Sequence, residues 1–156
     1  MSDSQLTRGL ELLRLGFLVL FTFPGAPTVY YGDEAGMTGF EDPFNRCPFP
    51  WGKENRELVE YCSKLGNLRK TNLPLREGEL CWGTCGQGVL AFTRRCGGKN
   101  AAAAVNSGDN AQAVEVPWDA ETAVDVLTGQ KYLADNGSVQ ILLPPRSGVL
   151  LDHPNE

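Results

Sequence analysis

Histidine and clustered positive charge are both scarce in this sequence of 156 residues. Its 14 lysines and arginines are outnumbered by 19 aspartates and glutamates, which gives a formal net charge of −5 at pH 7. Nucleic-acid-binding proteins draw most of their affinity from clustered Lys and Arg side chains that neutralise phosphates. Because the basic residues here are scattered along the chain, we expect no nucleic-acid partner.

Paired cysteine motifs are absent as well. The five cysteines form an odd set without the tight spacing of a secreted disulfide scaffold: Cys47, Cys62, Cys81, Cys85 and Cys96. A zinc site made of Cys81, Cys85 and Cys96 would lack the usual C-x2-C pair, and the single histidine, His153, lies in the tail. The sequence therefore predicts ordinary free thiols in a reducing, cytoplasmic setting, no metal, no cofactor and a mobile His153.

No apolar run is long enough to cross a bilayer. The longest, residues 15–23, stops at Pro24, whereas a transmembrane helix needs about 20 residues. As a signal peptide the region has a poor leader, because Asp3 and Glu11 dilute its positive charge. We therefore expect no membrane partner. The segment reads as a buried helix that packs on the rest of the chain or, by self-association, on another copy.

The spacing of apolar residues divides the chain into two parts. Residues 2–23 begin with a capping box and continue with an apolar residue every three or four positions, and residues 58–70 repeat that helical spacing. A run of high β propensity, 28–31, lies between them. Helix, strand and helix belong to an alternating α/β architecture, which we assign to residues 1–72.

From residue 73 the pattern changes to short strands separated by turn residues. Such strands indicate an antiparallel β-sandwich over residues 73–156, so that the fold class of the whole chain is α+β. Within it, the four alanines at 101–104 predict a crowded central strand, and Trp118 is predicted to lie in the core. The predicted strands lie at 89–93, 101–105, 113–116, 123–127, 139–143 and 148–151.

The polar loop after residue 31 holds two sets of charged side chains. Asp33 and Glu34 are adjacent, so in an extended chain they point to opposite sides and are poorly placed to flank one scissile bond. Ion pairing or capping suits them better. Asp42 and Arg46 are four residues apart and offer an acceptor fork and a donor fork. From the residues alone they are either a grip for vicinal hydroxyl groups or a surface salt bridge.

Four stretches of the sequence together resemble glycoside hydrolase family 13, the α-amylase family. "GAPTVYYGDEAGMTGFEDPFNRCPFPW" is similar to the last barrel strand and loop of its cyclomaltodextrinase, neopullulanase and maltogenic amylase branch. "LGNLRKTNLPLREGEL" resembles the last barrel helix and its exit, and "VDVLTGQKY" with "VQILLPPRSGVLL" resembles the closing strands of the C-terminal β-sandwich. Two residues depart from the family pattern: Phe40 stands where glycine is common, and Cys47 where a second basic residue is common.

The resemblance implies that the chain is the C-terminal part of a longer enzyme. Residues 1–72 would be the end of a (β/α)8 barrel, a fold of about 250 residues, followed by the β-sandwich. In the family, the positions of Asp42 and Arg46 reach a sugar ring of the substrate, an α-glucan such as a maltodextrin, cyclodextrin or pullulan. The three catalytic carboxylates of the family lie upstream, so no catalytic residue is assigned in this chain, which on its own is expected to be inactive.

A stand-alone module is the alternative hypothesis. In that case the sandwich either binds glucan through exposed aromatic rings or braces a neighbouring domain. The candidate stacking residues are Trp51, Trp82 and Trp118. Solvent exposure of two coplanar tryptophans would favour glucan binding, and their burial would favour a brace.

Overall fold

The computed structural model describes residues 2–39 and 41–154, which form three helices, a single 3-10 turn and eight strands. The helices are α1 (Asp3–Thr22), α2 (Arg56–Thr71) and α3 (Leu73–Glu77), and the 3-10 turn is Phe44–Arg46. The strands are β1 (Glu79–Gly86), β2 (Val89–Cys96), β3 (Lys99–Asn106), β4 (Gln112–Pro117), β5 (Thr122–Asp125), β6 (Lys131–Leu133), β7 (Ser138–Leu143) and β8 (Ser147–Asp152). No helix within these ranges is long and apolar enough to span a membrane.

The strands form two antiparallel sheets, as the sequence predicts. One sheet has six strands in the order β1-β2-β3-β8-β5-β6, and the other pairs β4 with β7. Strand β3, near the middle of the six-stranded sheet, is covered on both faces. Its alanines at 101–104 are fully buried, which confirms the predicted crowded strand. Small side chains are needed there because layers press on the strand from two sides.

Three layers follow from the alternation of side chains along β3 and β8. Ala102, Ala104 and Leu151 point into the core between the two sheets, where Trp118 is fully buried as predicted. Val105 and Leu150, of opposite parity, pack with α1 and α2. Because successive strand residues face opposite sides, one sheet supplies both cores.

Helix α1 begins and packs as the sequence predicts. The Ser2 hydroxyl accepts a hydrogen bond from the Gln5 N–H at 3.3 Å, and the Gln5 side chain accepts one from the Ser2 N–H at 2.9 Å, which completes the capping box. The apolar side chains of residues 15–23 are buried or half-buried against the sheet and α2. Self-association through this segment stays a prediction.

Helices α1 and α2 lie side by side and run in the same direction. The Arg14 guanidinium lies 4.8 Å from the centre of the Tyr61 ring, and farther along Phe21 approaches Gly66. Residue numbers thus increase in the same direction along both helices, from the Arg14–Tyr61 contact to the Phe21–Gly66 contact, so the helices are parallel. Neighbouring parallel helices require a connection that returns along their length, and residues 23–55 provide it.

The predicted strand at 28–31 does not form in the described chain. Residues 26–30 have no regular structure and pair with none of the eight strands, and turns begin at Tyr31. A strand forms only where a neighbour satisfies its N–H and C=O groups. High β propensity at Val29 and Tyr30 is not enough without such a neighbour.

Strand β1, strand β6, helix α3 and the 3-10 turn were not predicted, and His153 was predicted wrongly. Strand β1 carries two glycines, β6 has three residues, and α3 has five, so none has a strong periodic signal. The His153 Nε2 atom accepts a hydrogen bond from the Asn100 N–H at 2.9 Å, and its ring lies 5.2 Å from that of Trp118. The histidine therefore fastens the tail to β3.

Two arginines hold the C-terminal end of α1. This helix has no basic residue in its last turn. Arg69 of α2 donates to the carbonyl oxygens of Phe21 and Phe23, both at 2.9 Å. Arg94 of β2 donates to the Thr22 carbonyl at 3.0 Å and twice to that of Gly78, at 2.7 and 2.9 Å. Cations at this end of a helix are favoured by its macrodipole.

Arg94 is buried and pairs with no carboxylate among the residues that the structure describes. Only 2% of its surface is exposed, and burial, reinforced by the charge of Arg69, lowers its pKa. Arginine stays protonated under such conditions because its reference pKa is so high. The backbone carbonyls around it therefore carry the whole task of solvating the charge.

Replacing Arg94 with lysine should lower the free energy of unfolding by about 2–4 kcal/mol. A lysine keeps the charge but not the fork that reaches both carbonyls, so a buried acceptor is left unpaired. Urea unfolding measures the change. The matched control is Arg95→Lys, since Arg95 makes an exposed ion pair with Asp119 at 2.8 Å and should cost less than about 1 kcal/mol. Equal losses in both variants would contradict the assignment.

Candidate functional site

The loop between residues 31 and 55 is folded by its own backbone hydrogen bonds. The Met37 N–H donates to the Gly32 carbonyl at 2.9 Å, and Gly32 adopts a φ of 92°, a left-handed conformation that suits glycine. Farther on, the Asn55 N–H donates to the Ala35 carbonyl at 3.0 Å. This bond joins the two ends of the loop just before α2 begins.

The structure brings the two predicted substrate residues together. The Arg46 Nε lies 2.8 Å from Asp42 Oδ1, and Arg46 Nη2 donates to Asp42 Oδ2 at 3.4 Å. The 3-10 turn between them, closed by a bond from the Arg46 N–H to the Pro43 carbonyl at 3.1 Å, sets this spacing. The two forks therefore face each other as a two-point pair.

This pair is open to solvent. The side chains of Asp42 and Arg46 are 62% and 70% exposed. An exposed ion pair contributes at most about 1 kcal/mol to stability, so the pair is a weak explanation for the fold of the loop. Carboxylate lone pairs and guanidinium N–H groups remain on the solvent side, and such groups bind the hydroxyl groups of a sugar.

A tyrosine fastens the loop beside that pair. The Tyr31 hydroxyl donates to the Cys47 carbonyl at 3.2 Å. The Cys47 thiol in turn donates to the Phe44 carbonyl at 3.2 Å. Cys47 thus contributes to the backbone conformation around Arg46. The other departure from the family pattern, Phe40, lies outside the described residues.

Asp33 and Glu34 differ in their surroundings. The Glu34 carboxylate accepts a hydrogen bond from the Gly32 N–H at 2.9 Å, so this side chain has a structural role within the turn. Asp33 makes no side-chain hydrogen bond with another described residue. Burial raises the pKa of Asp33, and the neighbouring charge of Glu34 raises it further.

The aromatic candidates divide into one buried and two exposed rings. Trp118 is fully buried and its indole N–H donates to the Thr122 carbonyl at 2.9 Å, so it offers no stacking surface. Trp51 is 81% exposed and Trp82 is 55% exposed. Sequence reasoning missed that Phe49 lies against Trp51, with ring centres 4.6 Å apart. The alternation of proline and aromatic residues in "PFPW" was the available signal.

The described residues contain no group of three His, Cys, Asp or Glu side chains that could hold a metal ion. All five cysteines are free thiols, two of them exposed. The chemistry available in the loop is thus that of paired charges and aromatic rings, which suits recognition of a neutral polyhydroxylated ligand.

Residues 85–150, most of the β-sandwich, match the protein family described as Maltogenic Amylase, C-terminal domain. The chain belongs to the α-amylase family. Its relatives include an amylopullulanase of Thermoanaerobacter thermohydrosulfuricus, 32% identical over 166 aligned residues that cover 96% of this chain and 11% of that protein. A cyclomaltodextrinase of Geobacillus thermopakistaniensis is 35% identical over 88% of this chain and 24% of its own length.

A solved structure agrees with this family. The α-amylase of Anoxybacillus superposes on 94% of the chain with a TM-score of 0.80 and 28% identity. The chain covers 33% of that structure, and 11% and 24% of the two relatives above, so it spans a third or less of each of these three proteins. The region shared with these α-amylase-family proteins includes the helices, the loop and the sandwich.

The pKa of Asp33 gives a test of the loop structure. Since the fold disfavours its charged form, Asp33 contributes stability below the ordinary pKa of 3.8, and that contribution is lost as the pH rises through the raised pKa of the folded state. We therefore expect Asp33→Asn to be more stable than the parent chain at pH 7 but not at pH values below that ordinary pKa.

NMR titration of the carboxyl carbons and unfolding at both pH values measure these effects. Glu34→Gln is the companion variant, and it should lower the pKa of Asp33 because it removes the neighbouring charge. A pKa of Asp33 at or below the ordinary value would show that the carboxyl group is not placed as described.

Proposed function

We propose that this chain is the C-terminal portion of a retaining α-glucosidic hydrolase that acts on maltodextrins, cyclodextrins or pullulan. Residues 1–72 are the end of its (β/α)8 barrel and residues 73–156 its C-terminal β-sandwich. The observation that carries the proposal is the pair of parallel helices α1 and α2, whose connection returns along their length and ends in the loop of Asp42 and Arg46. Helix, returning segment and helix in this order repeat the unit of a βα barrel.

In this proposal the segment at 28–31 becomes a strand when barrel neighbours are present. Tyr30 and Tyr31 are exposed in the chain alone, which leaves this segment open to such neighbours. Active sites of such barrels lie at the C-terminal ends of the strands. The loop that follows residue 31 would then open onto the active site of the parent enzyme.

Asp42 and Arg46 hold a sugar ring of the substrate. The carboxylate accepts and the guanidinium donates, so together they fix two hydroxyl groups. Firm positioning of the sugar lowers the barrier for the catalytic carboxylates, which belong to the rest of the enzyme. The partner is thus an α-glucan bound by the whole protein, and five free thiols support a reducing, cytoplasmic setting.

The chain on its own should be inactive. Incubated with maltotriose or pullulan, it is expected to release no reducing sugar above the buffer blank, because its carboxylates include no pair placed for glycosidic cleavage in this proposal. Hydrolysis of the same substrates by the full-length parent enzyme is the positive control. Turnover by the purified 156-residue chain would contradict the assignment of catalysis to the rest of the enzyme.

In the parent enzyme, Asp42→Ala should lower kcat/KM for maltotriose by about 10- to 100-fold, the loss expected for a hydrogen bond to a charged group. Steady-state kinetics measure the effect. Asp119→Ala is the matched control, since it breaks a comparable exposed ion pair, with Arg95, on the sandwich. An unchanged kcat/KM in Asp42→Ala would remove Asp42 from substrate contact.

A stand-alone glucan-binding sandwich is the second candidate, and Trp82 is the observation that favours it. Its indole is half exposed on the edge strand β1 and packs against the rings of Phe23 and Phe92, at centre distances of 5.9 and 6.3 Å. A ring held in this way is a ready surface for a sugar. Under this alternative, starch binding by the isolated chain depends on Trp82.

A further inference from the structure

Phe49, Trp51 and Val59 line an apolar cleft between the loop and the start of α2. The cleft has a volume of about 360 Å³, which lies within the usual range of small-ligand sites, about 300–1,000 Å³. Phe49 is half-buried, whereas Trp51 and Val59 are exposed. Trp51 is the most exposed of the large apolar side chains in the described part of the chain.

The loop backbone holds Trp51 in this exposed position. The Trp51 N–H donates to the Phe49 carbonyl at 2.9 Å, and the Lys53 N–H donates to the Pro50 carbonyl at 2.8 Å. Gly52 follows with a φ of 78°. Two turn bonds and a left-handed glycine fix the chain on both sides of the tryptophan, so its exposure does not result from a slack loop.

Charged groups surround the apolar surface. Glu34 and Glu54 line the cleft, and each accepts a hydrogen bond at 2.9 Å from the N–H two residues before it. These bonds fix the direction of both carboxylates, and the backbone bonds lower the pKa of Glu54. One oxygen of each carboxylate is left for a ligand.

Arg56 and Glu60 also line the cleft, one turn apart on α2. Neither side chain makes a hydrogen bond or ion pair with another residue of the described ranges 2–39 and 41–154. Arg56 therefore offers free N–H donors, and Glu60 offers a free acceptor. An aromatic wall with both donors and acceptors at its edges matches a pyranose ring, which has apolar faces and a rim of hydroxyl groups.

We propose that this cleft binds a glucosyl unit of an α-glucan, with Trp51 as the stacking ring and Arg56 and Glu60 as hydroxyl-binding groups. The inference rests on the proposed function, because the same loop carries Asp42 and Arg46. It adds a separate sugar-binding position that a longer glucan reaches and a short one does not. Trp51 then determines preference for chain length.

The test is binding of maltoheptaose to the 156-residue chain, detected by NMR of the tryptophan indole N–H signals and measured by calorimetry. We expect saturable binding that shifts the Trp51 signal, and no binding of cellopentaose, whose β-linkages give a different shape. Trp51→Ala should weaken the binding at least about tenfold, and Trp51→Phe should retain most of it because a ring remains. Glu60→Gln should weaken it about threefold or more.

Trp82→Ala is the matched control, since it removes the other exposed indole and should leave the affinity unchanged. Unfolding midpoints of all variants establish that each is folded. The proposal is overturned if maltoheptaose does not bind, if cellopentaose binds equally well, or if Trp82→Ala and not Trp51→Ala abolishes binding. The last result would favour the glucan-binding sandwich instead.

Kinetics of the parent enzyme separate this inference from the proposed function. Trp51→Ala should lower kcat/KM for maltoheptaose but not for maltotriose, whereas Asp42→Ala lowers it for both. If Trp51→Ala affects both substrates equally, the chain-length role is wrong although the assignment of Asp42 stands. If Asp42→Ala affects neither, the proposed function fails at its own site.

Discussion

Two guanidinium groups at the end of α1 hold the layers of this chain together. Arg69 and Arg94 reach that end from α2 and β2 and bind carbonyl oxygens that the helix itself cannot satisfy. Neither guanidinium pairs with a carboxylate of the described residues, so the strength of this junction depends on the direction of several backbone carbonyls. Nearer its start, α1 is also tied to the sandwich by two ion pairs, Arg8 with Asp109 at 2.7 Å and Glu11 with Arg146 at 2.6 Å. Helix pair and sheet can therefore be assembled in only one relative position.

The packing around that junction is equally close. Leu18 of α1 lies so near Gly148 of β8 that a Cβ atom there would come within 2.8 Å of its side chain. A helix can approach a sheet this closely only where the strand offers a residue without a side chain. The buried alanines of β3 continue the same narrow contact. The polar junction and the apolar contact thus fix one arrangement from two sides.

Sequence reasoning performed best where a pattern repeats. The helical spacing of α1 and α2 spans enough residues to be recognised, and so do the apolar runs of β2, β3, β7 and β8 with the turn residues between them. The capping box at Ser2 fixes a boundary. Sequence reasoning failed where structure depends on a partner. Residues 28–31 have the composition of a strand but no neighbour to pair with. His153 gains its place only through contacts with residues distant in sequence.

The candidate site divides in the same way. The contact between Asp42 and Arg46 could be predicted from their spacing, because side chains four residues apart across a turn lie close together in most arrangements. The cleft at Trp51 was beyond reach, since it joins the loop to the first turns of α2 and to Glu34. Such a site forms only when the loop packs against α2, and the sequence pattern carries no signal for that packing.

The bond between the Asn55 N–H and the Ala35 carbonyl closes the intervening segment into a loop whose two ends are held together. Its two ends meet at one point, so the length between them can change without displacing α2 or residues 26–30 before it. Lengthening a loop of fixed ends is cheap, about 0.6 kcal/mol for each doubling. Under the proposed function, substrate preference can thus change by exchange of this one segment, while the helices and the sandwich keep their positions.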